Sequence, residues 1–194
     1  MKYLHIIPAF LLGTAPVFSQ LPSAEVQIST AVQSLPDELQ AGAKVWGYNS
    51  SGNLVELRKG TNDMICLSDD PDKKGFNAAC YHKDLEEFMA RGRELKAEGK
   101  NSGEIFEIRE KEAKSGQLKM PEQPTTLHIC YGSDAVYNES TGKMDNTKIR
   151  YVVYIPWATP ESSGLPTKPM MPGGPWIMDP GTHRAHIMIT PPQE

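Results

Sequence analysis

The spacing of apolar residues changes along this chain, and the changes limit the folds that it can adopt. Ser23 precedes apolar residues at positions 28, 31, 32 and 35, which is the spacing of an amphipathic helix with a cap, and Pro36 ends it. Short runs of β-type residues bounded by turn residues come next. They predict strands at 44–48, 53–58, 64–67 and 77–82.

Helical spacing then returns. Apolar residues on one face, with charged residues opposite, predict a helix over 83–97 that Gly99 ends. A second helix is predicted at 104–114, with Ser102 as its cap. This second helix has a thin apolar face, so its many charges are interpreted as a solvated surface.

Three more strands are predicted, at 126–131, 148–155 and 184–190. The order of helix, strands, helices and strands is typical of an α+β fold. We therefore expect a mainly antiparallel β-sheet packed against one or two helices. Residues 20–194 are expected to form this single α+β domain, because their number suits one domain and no repeat interrupts them.

A long Pro/Gly-rich loop, 156–181, is predicted before the last strand. It holds seven of the sixteen prolines, and tryptophans and methionines are interleaved with them. That composition is not typical of a disordered segment, and unstructured loops of more than about 12–15 residues are uncommon in compact domains. Either a structural flap that completes the core or a ligand-contacting loop would explain it.

The first nineteen residues predict export. Lys2 is followed by a short apolar run at 4–12, and Val17 and Ser19 occupy the −3 and −1 positions of a cleavage site before Gln20. The apolar run is too short to cross a bilayer, which takes about 20 residues. We interpret 1–19 as a signal peptide and expect a soluble protein that is secreted or periplasmic.

The charge of the chain argues against two classes of partner. The formal net charge is −4, and it becomes −5 without the predicted signal, whose one charged residue is Lys2. Acidic and basic residues alternate without a basic stripe, so a nucleic acid is not expected as a partner. No membrane anchor is expected either, because no later segment is long and apolar enough to span a bilayer.

The chain contains three cysteines, Cys66, Cys80 and Cys130. An odd number in an exported protein indicates one disulfide plus a free thiol, an intermolecular bond, or another role for sulfur. Cys66 and Cys80 flank a polar loop, so a hairpin would make them neighbours and permit a disulfide. We prefer this pairing because it requires the fewest assumptions. The alternative sets Cys80 opposite Cys130 in a pair of antiparallel strands.

That alternative register would also set His82 opposite His128. Two cysteines and two histidines at this spacing permit either a Cys80–Cys130 disulfide or a tetrahedral zinc site. Further histidines, His183 and His186, lie just after the Pro/Gly-rich loop. Copper would suit them if Met178 and Met188 were near, because it accepts thioether and imidazole ligands.

No catalytic motif is present: we find no nucleophile elbow, phosphate-binding glycine loop or zinc-protease helix. An arginine beside a histidine can hold a carboxylate or phosphate, and tryptophans in the Pro/Gly-rich loop can supply apolar contact. The sequence therefore favours a non-catalytic protein that binds a small molecule or a partner protein and needs no cofactor. Its predicted ligand-binding residues are Trp157, Trp176, Arg184 and His186.

The second hypothesis is a metal-binding protein or metal-dependent enzyme that uses a cluster of histidine and cysteine side chains. Zinc or copper would be its cofactor. Its predicted ligands are His82, His128, His183 and His186.

Overall fold

The computed structural model describes residues 21–192, so the predicted signal peptide lies outside the described residues. The fold is α+β, as the sequence predicts. The helices are α1 (Ala24–Ala31), α2 (Asp37–Gln40), α3 (Glu86–Ala97), α4 (Ser102–Lys114) and α5 (Pro160–Ser163). The first strands are β1 (Lys44–Tyr48), β2 (Leu54–Arg58), β3 (Met64–Leu67), β4 (Phe76–His82) and β5 (Thr125–Gly132). The others are β6 (Val136–Asn138), β7 (Lys143–Asp145), β8 (Lys148–Tyr154), β9 (Trp176–Met178) and β10 (His186–Ile189).

Eight of these strands form one sheet in the order β2-β1-β3-β4-β5-β8-β10-β9, and β6 and β7 form a separate hairpin. Strands β1 and β3 are parallel, whereas the other neighbours are antiparallel. The sheet is thus mainly antiparallel, as predicted.

The two faces of the sheet are covered differently. Helix α3 packs on one face, where Leu85 and Phe88 join core side chains of the central strands such as Tyr81, Leu127 and Val152. We call this the helix-covered face. On the opposite face, α1 and the single 3-10 turn after it bury the β1–β3–β4 end of the sheet. The apolar residues that predicted the first helix, Ala31, Val32 and Leu35, are buried against this end of the sheet.

Local capping explains where two helices begin. The Ser23 hydroxyl accepts a hydrogen bond from the Val26 N–H at 3.3 Å, so the predicted cap of α1 is confirmed. The predicted cap of α4, Ser102, is wrong. The Asn101 side chain caps the helix instead, accepting from the Gly103 and Glu104 N–H groups. An asparagine acceptor at this position is as effective as a serine.

The strand register settles the cysteine question. Cys66 and Cys80 are cross-strand partners and form a disulfide, which confirms the preferred pairing. In the β4–β5 pair, Cys80 lies opposite His128 and Ala78 opposite Cys130. The alternative register, with Cys80 opposite Cys130 and a zinc site beside them, is therefore wrong. Cys130 is buried and unbridged.

The Pro/Gly-rich segment is less irregular than expected, because α5 and the edge strand β9 both lie within it. The Ile177 N–H of β9 donates to the Pro166 carbonyl at 2.9 Å, so the segment folds back along its own strand. Backbone hydrogen bonds of this kind protect an otherwise open sheet edge. Within residues 21–192, no helix has the length and apolarity that crossing a membrane requires.

Candidate functional site

The turn that leads into β10 places His183 inside the protein. The Thr182 hydroxyl donates to the Asp179 carbonyl at 2.8 Å and accepts from the Arg184 N–H at 3.1 Å. Gly181 and Asp179 both have positive φ, 75° and 50°, which turns the chain sharply. As a result, the His183 side chain is 0 % exposed.

Three aromatic rings surround the His183 imidazole. The ring centroid of Phe106, from α4, lies 5.0 Å away, and that of Phe88, from α3, lies 5.8 Å away. Trp157, which follows β8, is the third at 6.5 Å. Residues from two helices and two loops therefore meet here, and we call the set of Phe88, Phe106, Arg109, Tyr154, Trp157, His183, Arg184 and His186 the His183 cluster.

The His183 ring has a polar partner in Glu110, whose Oε2 lies 3.3 Å from Nδ1. A carboxylate accepts, so Nδ1 carries the proton in this pair and Nε2 presents a lone pair. That Nε2 is buried and has no hydrogen-bond partner among the described residues. Burial lowers the pKa of His183, while Glu110 opposes the change. A neutral imidazole with an unused acceptor is thus held inside the cluster.

Arg109 is a second buried polar group with unmet bonding capacity. Its side chain is 8 % exposed, its guanidinium lies 3.9 Å from the Phe88 ring centroid, and one N–H donates to the Phe88 carbonyl at 3.1 Å. Its Nε has no partner and no carboxylate pairs with it in the described part of the chain. Burial lowers the pKa of Arg109 to about 10. Buried unpaired charges are rare because desolvation is costly.

Gly92 makes room for this arginine. A Cβ at Gly92, in the middle of α3, would lie 2.9 Å from Nη1 of Arg109. Glycine inside a helix costs roughly 1 kcal/mol relative to alanine. The guanidinium therefore fits between α3 and α4 only because position 92 is a glycine, a residue that lowers the stability of α3.

A second arginine lies nearer to solvent. Arg184 donates from Nε to Asp179 Oδ2 at 2.7 Å, and its guanidinium lies 5.0 Å from the Phe106 ring centroid. Its carbonyl accepts from Nδ1 of His186 at 2.6 Å, and the His186 ring stacks on Tyr154 at 5.2 Å. Burial lowers the pKa of His186 and raises the pKa of Tyr154, so both are neutral near pH 7.

Trp157 forms the outer surface of the cluster. Its φ is 68°, an uncommon conformation for a bulky residue, and its N–H donates to the Thr182 carbonyl at 2.8 Å. The indole is 40 % exposed, and the Lys114 ammonium lies 6.0 Å from its centroid. Left-handed backbone at a non-glycine residue costs of order 1–3 kcal/mol, and such residues concentrate at functional sites.

Two surface clefts flank Trp157 and Lys114. One, of about 550 Å³, is lined by Trp157 itself and by residues 120–124 and 155–158. The other, of about 600 Å³, lies along α4 and is lined by Phe106 and Lys114 among others. Both volumes are within the range of about 300–1,000 Å³ found for small-molecule sites.

The structure brings together three of the four predicted ligand-binding residues, namely Trp157, Arg184 and His186. Trp176 lies elsewhere: it packs against the core on the helix-covered face and lines a separate pocket of about 380 Å³ with Met170 and Met171. The predicted Arg184–His186 pairing also needs correction. His186 is buried and bonds the Arg184 backbone, so only the arginine side chain faces solvent.

The four predicted metal ligands do not converge. His82 and His128 follow Tyr81 and Leu127, which point to the helix-covered face, so the two histidines lie on the opposite face. His186 lies on the helix-covered face, two residues before Met188 in β10. No group of three or more His, Cys, Asp or Glu side chains in residues 21–192 is arranged to hold a metal ion.

Met178 lies opposite His186 in the β9–β10 pair, and Met188 follows His186 by two residues on the same face. Met188 is buried in the core and Met178 packs against it. Both methionines therefore fill space between the sheet and the helices, which is the commonest role of this side chain.

Sequence reasoning missed the helical residues of the cluster, Phe88, Phe106 and Arg109, and the partner of His183, Glu110. The charges of α4 were interpreted as a solvated surface, yet Arg109 is buried. One signal was present: Arg109 lies four residues after Ile105, on the thin apolar face. Gly92 inside an otherwise good helix pattern was a second.

No protein-family model, curated protein or solved structure matches this chain, so a functional proposal rests on its own side chains.

Proposed function

We propose that this chain is an exported, non-catalytic binding domain for a small molecule that combines a planar ring with a negatively charged group. The ligand's ring lies against Trp157, and its charged group lies toward Arg184. The observation that carries the proposal is the exposed indole of Trp157, held in a left-handed conformation between two clefts.

The aromatic side chains of the cluster favour binding of the ligand's planar ring. Phe106 lines the cleft along α4 and Trp157 lines the other cleft, and the buried imidazole of His183 contacts both rings. Offset or edge contacts between aromatic rings contribute about 0.5–1.5 kcal/mol beyond the area they bury. A rigidly held indole loses little conformational entropy when a ligand covers it.

The charged side chains of the cluster favour a ligand with a negatively charged group. Within the cluster, Arg184 is paired with Asp179, whereas Arg109 forms no ion pair with a carboxylate in residues 21–192. The nearby Glu112 therefore opposes the field of Arg109 only in part. A low-dielectric wall strengthens such a field, so an anionic ligand is favoured over a cationic one.

Arg184 lies beside the cleft along α4, because its guanidinium is 5.0 Å from the ring of Phe106, which lines that cleft. The Nε of Arg184 is bonded to Asp179, but its side chain is one-third exposed, and its terminal nitrogens have no hydrogen-bond partner within residues 21–192. Those nitrogens can donate to a carboxylate from a position fixed by Asp179 and Phe106.

Isothermal titration of residues 20–194 with indole-3-acetate and tryptamine tests the proposal, because these molecules share a ring and carry opposite charges. We expect indole-3-acetate to bind and tryptamine to bind more weakly. Trp157→Ala should raise the Kd about 2- to 12-fold, corresponding to about 0.5–1.5 kcal/mol, and Arg184→Gln should remove the preference for the anion.

Tyr151→Ala is the matched control, since Tyr151 is 39 % exposed and lies on the sheet face away from the cluster. It should leave both affinities unchanged. Equal binding of the two molecules, or loss of binding in the control but not in Trp157→Ala, would contradict the proposal.

A further inference from the structure

A second cleft, remote from the His183 cluster, lies between the β1–β2 hairpin and the C-terminal half of α3. Its volume is about 500 Å³, and its apolar floor is formed by Leu54, Leu67 and Ala79 from three strands of the sheet. Tyr48 also lines the cleft. We call it the Tyr48 cleft. We propose that it binds a neutral polyhydroxylated ring, that is, a sugar.

The charged groups of the Tyr48 cleft already have partners within the protein. The Lys96 ammonium lies 2.7 Å from Asp70, and Lys73 lies 3.8 Å from the same carboxylate. Arg93 bonds Glu86 at 2.7 Å and the Tyr81 hydroxyl at 2.9 Å. A charged ligand would have to displace one of these pairs, so charge gives it no advantage.

The groups without partners are neutral. Within residues 21–192, the Tyr48 hydroxyl and the side-chain amides of Asn53 and Asn77 make no hydrogen bond in the structure, and all three residues line the cleft. Burial, followed by the charges of nearby aspartates, raises the pKa of Tyr48 to about 12, so the phenol keeps its proton. A phenol and two amides offer both donors and acceptors.

This combination selects the ligand class. A sugar ring presents hydroxyl groups that donate and accept around its edge, and aliphatic C–H groups on its face. The hydroxyl groups match the Tyr48 phenol and the two amides, while the C–H face matches the apolar floor. An aliphatic ligand would leave the three polar groups unpaired, which is unfavourable once water is expelled.

The backbone of Tyr48 is held in place by a side chain from α1. The buried amide of Gln27 accepts from the Tyr48 N–H at 2.7 Å and donates to the Tyr48 carbonyl at 2.9 Å. Neighbouring Gly47 leaves the space that this amide needs, because a Cβ there would lie 2.5 Å from the Gln27 oxygen. A preorganised wall reduces the entropy lost on binding.

The test uses residues 20–194 labelled with ¹⁵N and titrated with methyl glycosides of glucose, galactose, mannose and N-acetylglucosamine. Glucuronate and glucosamine serve as charged analogues. We expect at least one neutral glycoside to shift the amide signals of Asn53 and Asn77 and to bind more tightly than both charged analogues.

Tyr48→Phe should weaken that binding about 2- to 12-fold, the loss expected for one hydrogen bond. The variant should fold, because the hydroxyl has no partner within residues 21–192. Tyr151→Phe is the matched control, because Tyr151 lies on the sheet face opposite the helix-covered face. It should bind as the wild type does. Trp157→Ala should also bind normally, which separates this site from the His183 cluster.

Three results would overturn the proposal. One is the absence of shifts at Asn53 and Asn77 with every neutral glycoside. The second is tighter binding of glucuronate or glucosamine than of the neutral ring, and the third is unchanged affinity in Tyr48→Phe.

Discussion

Replacement of Gly92 by alanine should have opposite effects depending on the residue at position 109. Alanine is favoured over glycine inside a helix by roughly 1 kcal/mol, so α3 alone would gain stability. In the wild type, however, the new Cβ would lie 2.9 Å from Nη1 of Arg109. That distance is too short for the two atoms, and one of them must move.

The guanidinium has little freedom to move without loss. It lies 3.9 Å from the Phe88 ring and donates to the Phe88 carbonyl. A hydrogen bond from a charged donor contributes about 1.5–3 kcal/mol, and a desolvated cation–π contact contributes about 2 kcal/mol. Loss of either exceeds the helix gain, so Gly92→Ala should lower the free energy of unfolding by about 1 kcal/mol. In Arg109→Met, where no guanidinium is present, it should raise stability by about 0.5–1 kcal/mol.

The assay is urea unfolding followed by circular dichroism for the wild type, both single variants and the double variant. The two effects of Gly92→Ala should differ by about 2 kcal/mol, a coupling typical of residues in contact. Gly103→Ala, in α4, is the control, since its Cβ would meet only the Asn101 side chain. It should have the same effect in both backgrounds. An equal gain from Gly92→Ala in the two backgrounds would refute the idea that the glycine makes room for Arg109.

Three other changes test the fold and its titration. The disulfide joins Cys66 and Cys80 across a separation of 14 residues. Replacing both cysteines by alanine should therefore lower the free energy of unfolding in urea by about 3 kcal/mol more than twice the loss caused by Cys130→Ala. An equal loss per cysteine would contradict this expectation. Burial lowers the pKa of His183 below the value of about 6.5 expected in the unfolded chain, so the unfolded state takes up more protons and stability falls as the pH decreases below about 6.5. His183→Gln should flatten this fall by up to about 1.4 kcal/mol per pH unit between pH ~7 and ~5.5, and an unchanged slope would show that the imidazole is not buried neutral. Gly47→Ala would place a methyl 2.4 Å from the nearest side-chain atom and should lower stability by about 1–3 kcal/mol, whereas a gain would show that the hairpin is loosely packed.

Much of the fold could be predicted because its signals are local. Strands β1 and β3 have the predicted bounds, 44–48 and 64–67, and β4 differs by one residue. The disulfide was predictable for the same reason: Cys66 and Cys80 belong to consecutive strands, so the hairpin between them sets their register. Short elements were missed. The β6–β7 hairpin has three residues per strand, too few for an alternating pattern to be distinguished from a loop.

The candidate site was only half predictable, because it depends on contacts between distant segments. The exposed Trp157 and Arg184 stood out within or beside an unusual loop. In contrast, Glu110 and His183 are 73 residues apart in the chain and meet only when α4 packs beside the turn before β10. A lone charged residue on a helix looks solvated in a sequence, and only tertiary packing shows that Arg109 is buried.

Arg109 also allows a structural role to be separated from a functional one. The fall of its pKa to about 10 corresponds to roughly 3 kcal/mol of lost stabilisation of the charge, while its hydrogen bond and ring contact return a similar amount. Arg109→Met should therefore unfold within about 1 kcal/mol of the wild type. If the buried charge is retained for an anionic ligand, the same variant should bind indole-3-acetate more weakly while its affinity for tryptamine stays the same or rises. A loss of 3 kcal/mol or more in stability with unchanged binding would instead make Arg109 a structural residue, and the argument that its charge favours an anionic ligand would fail.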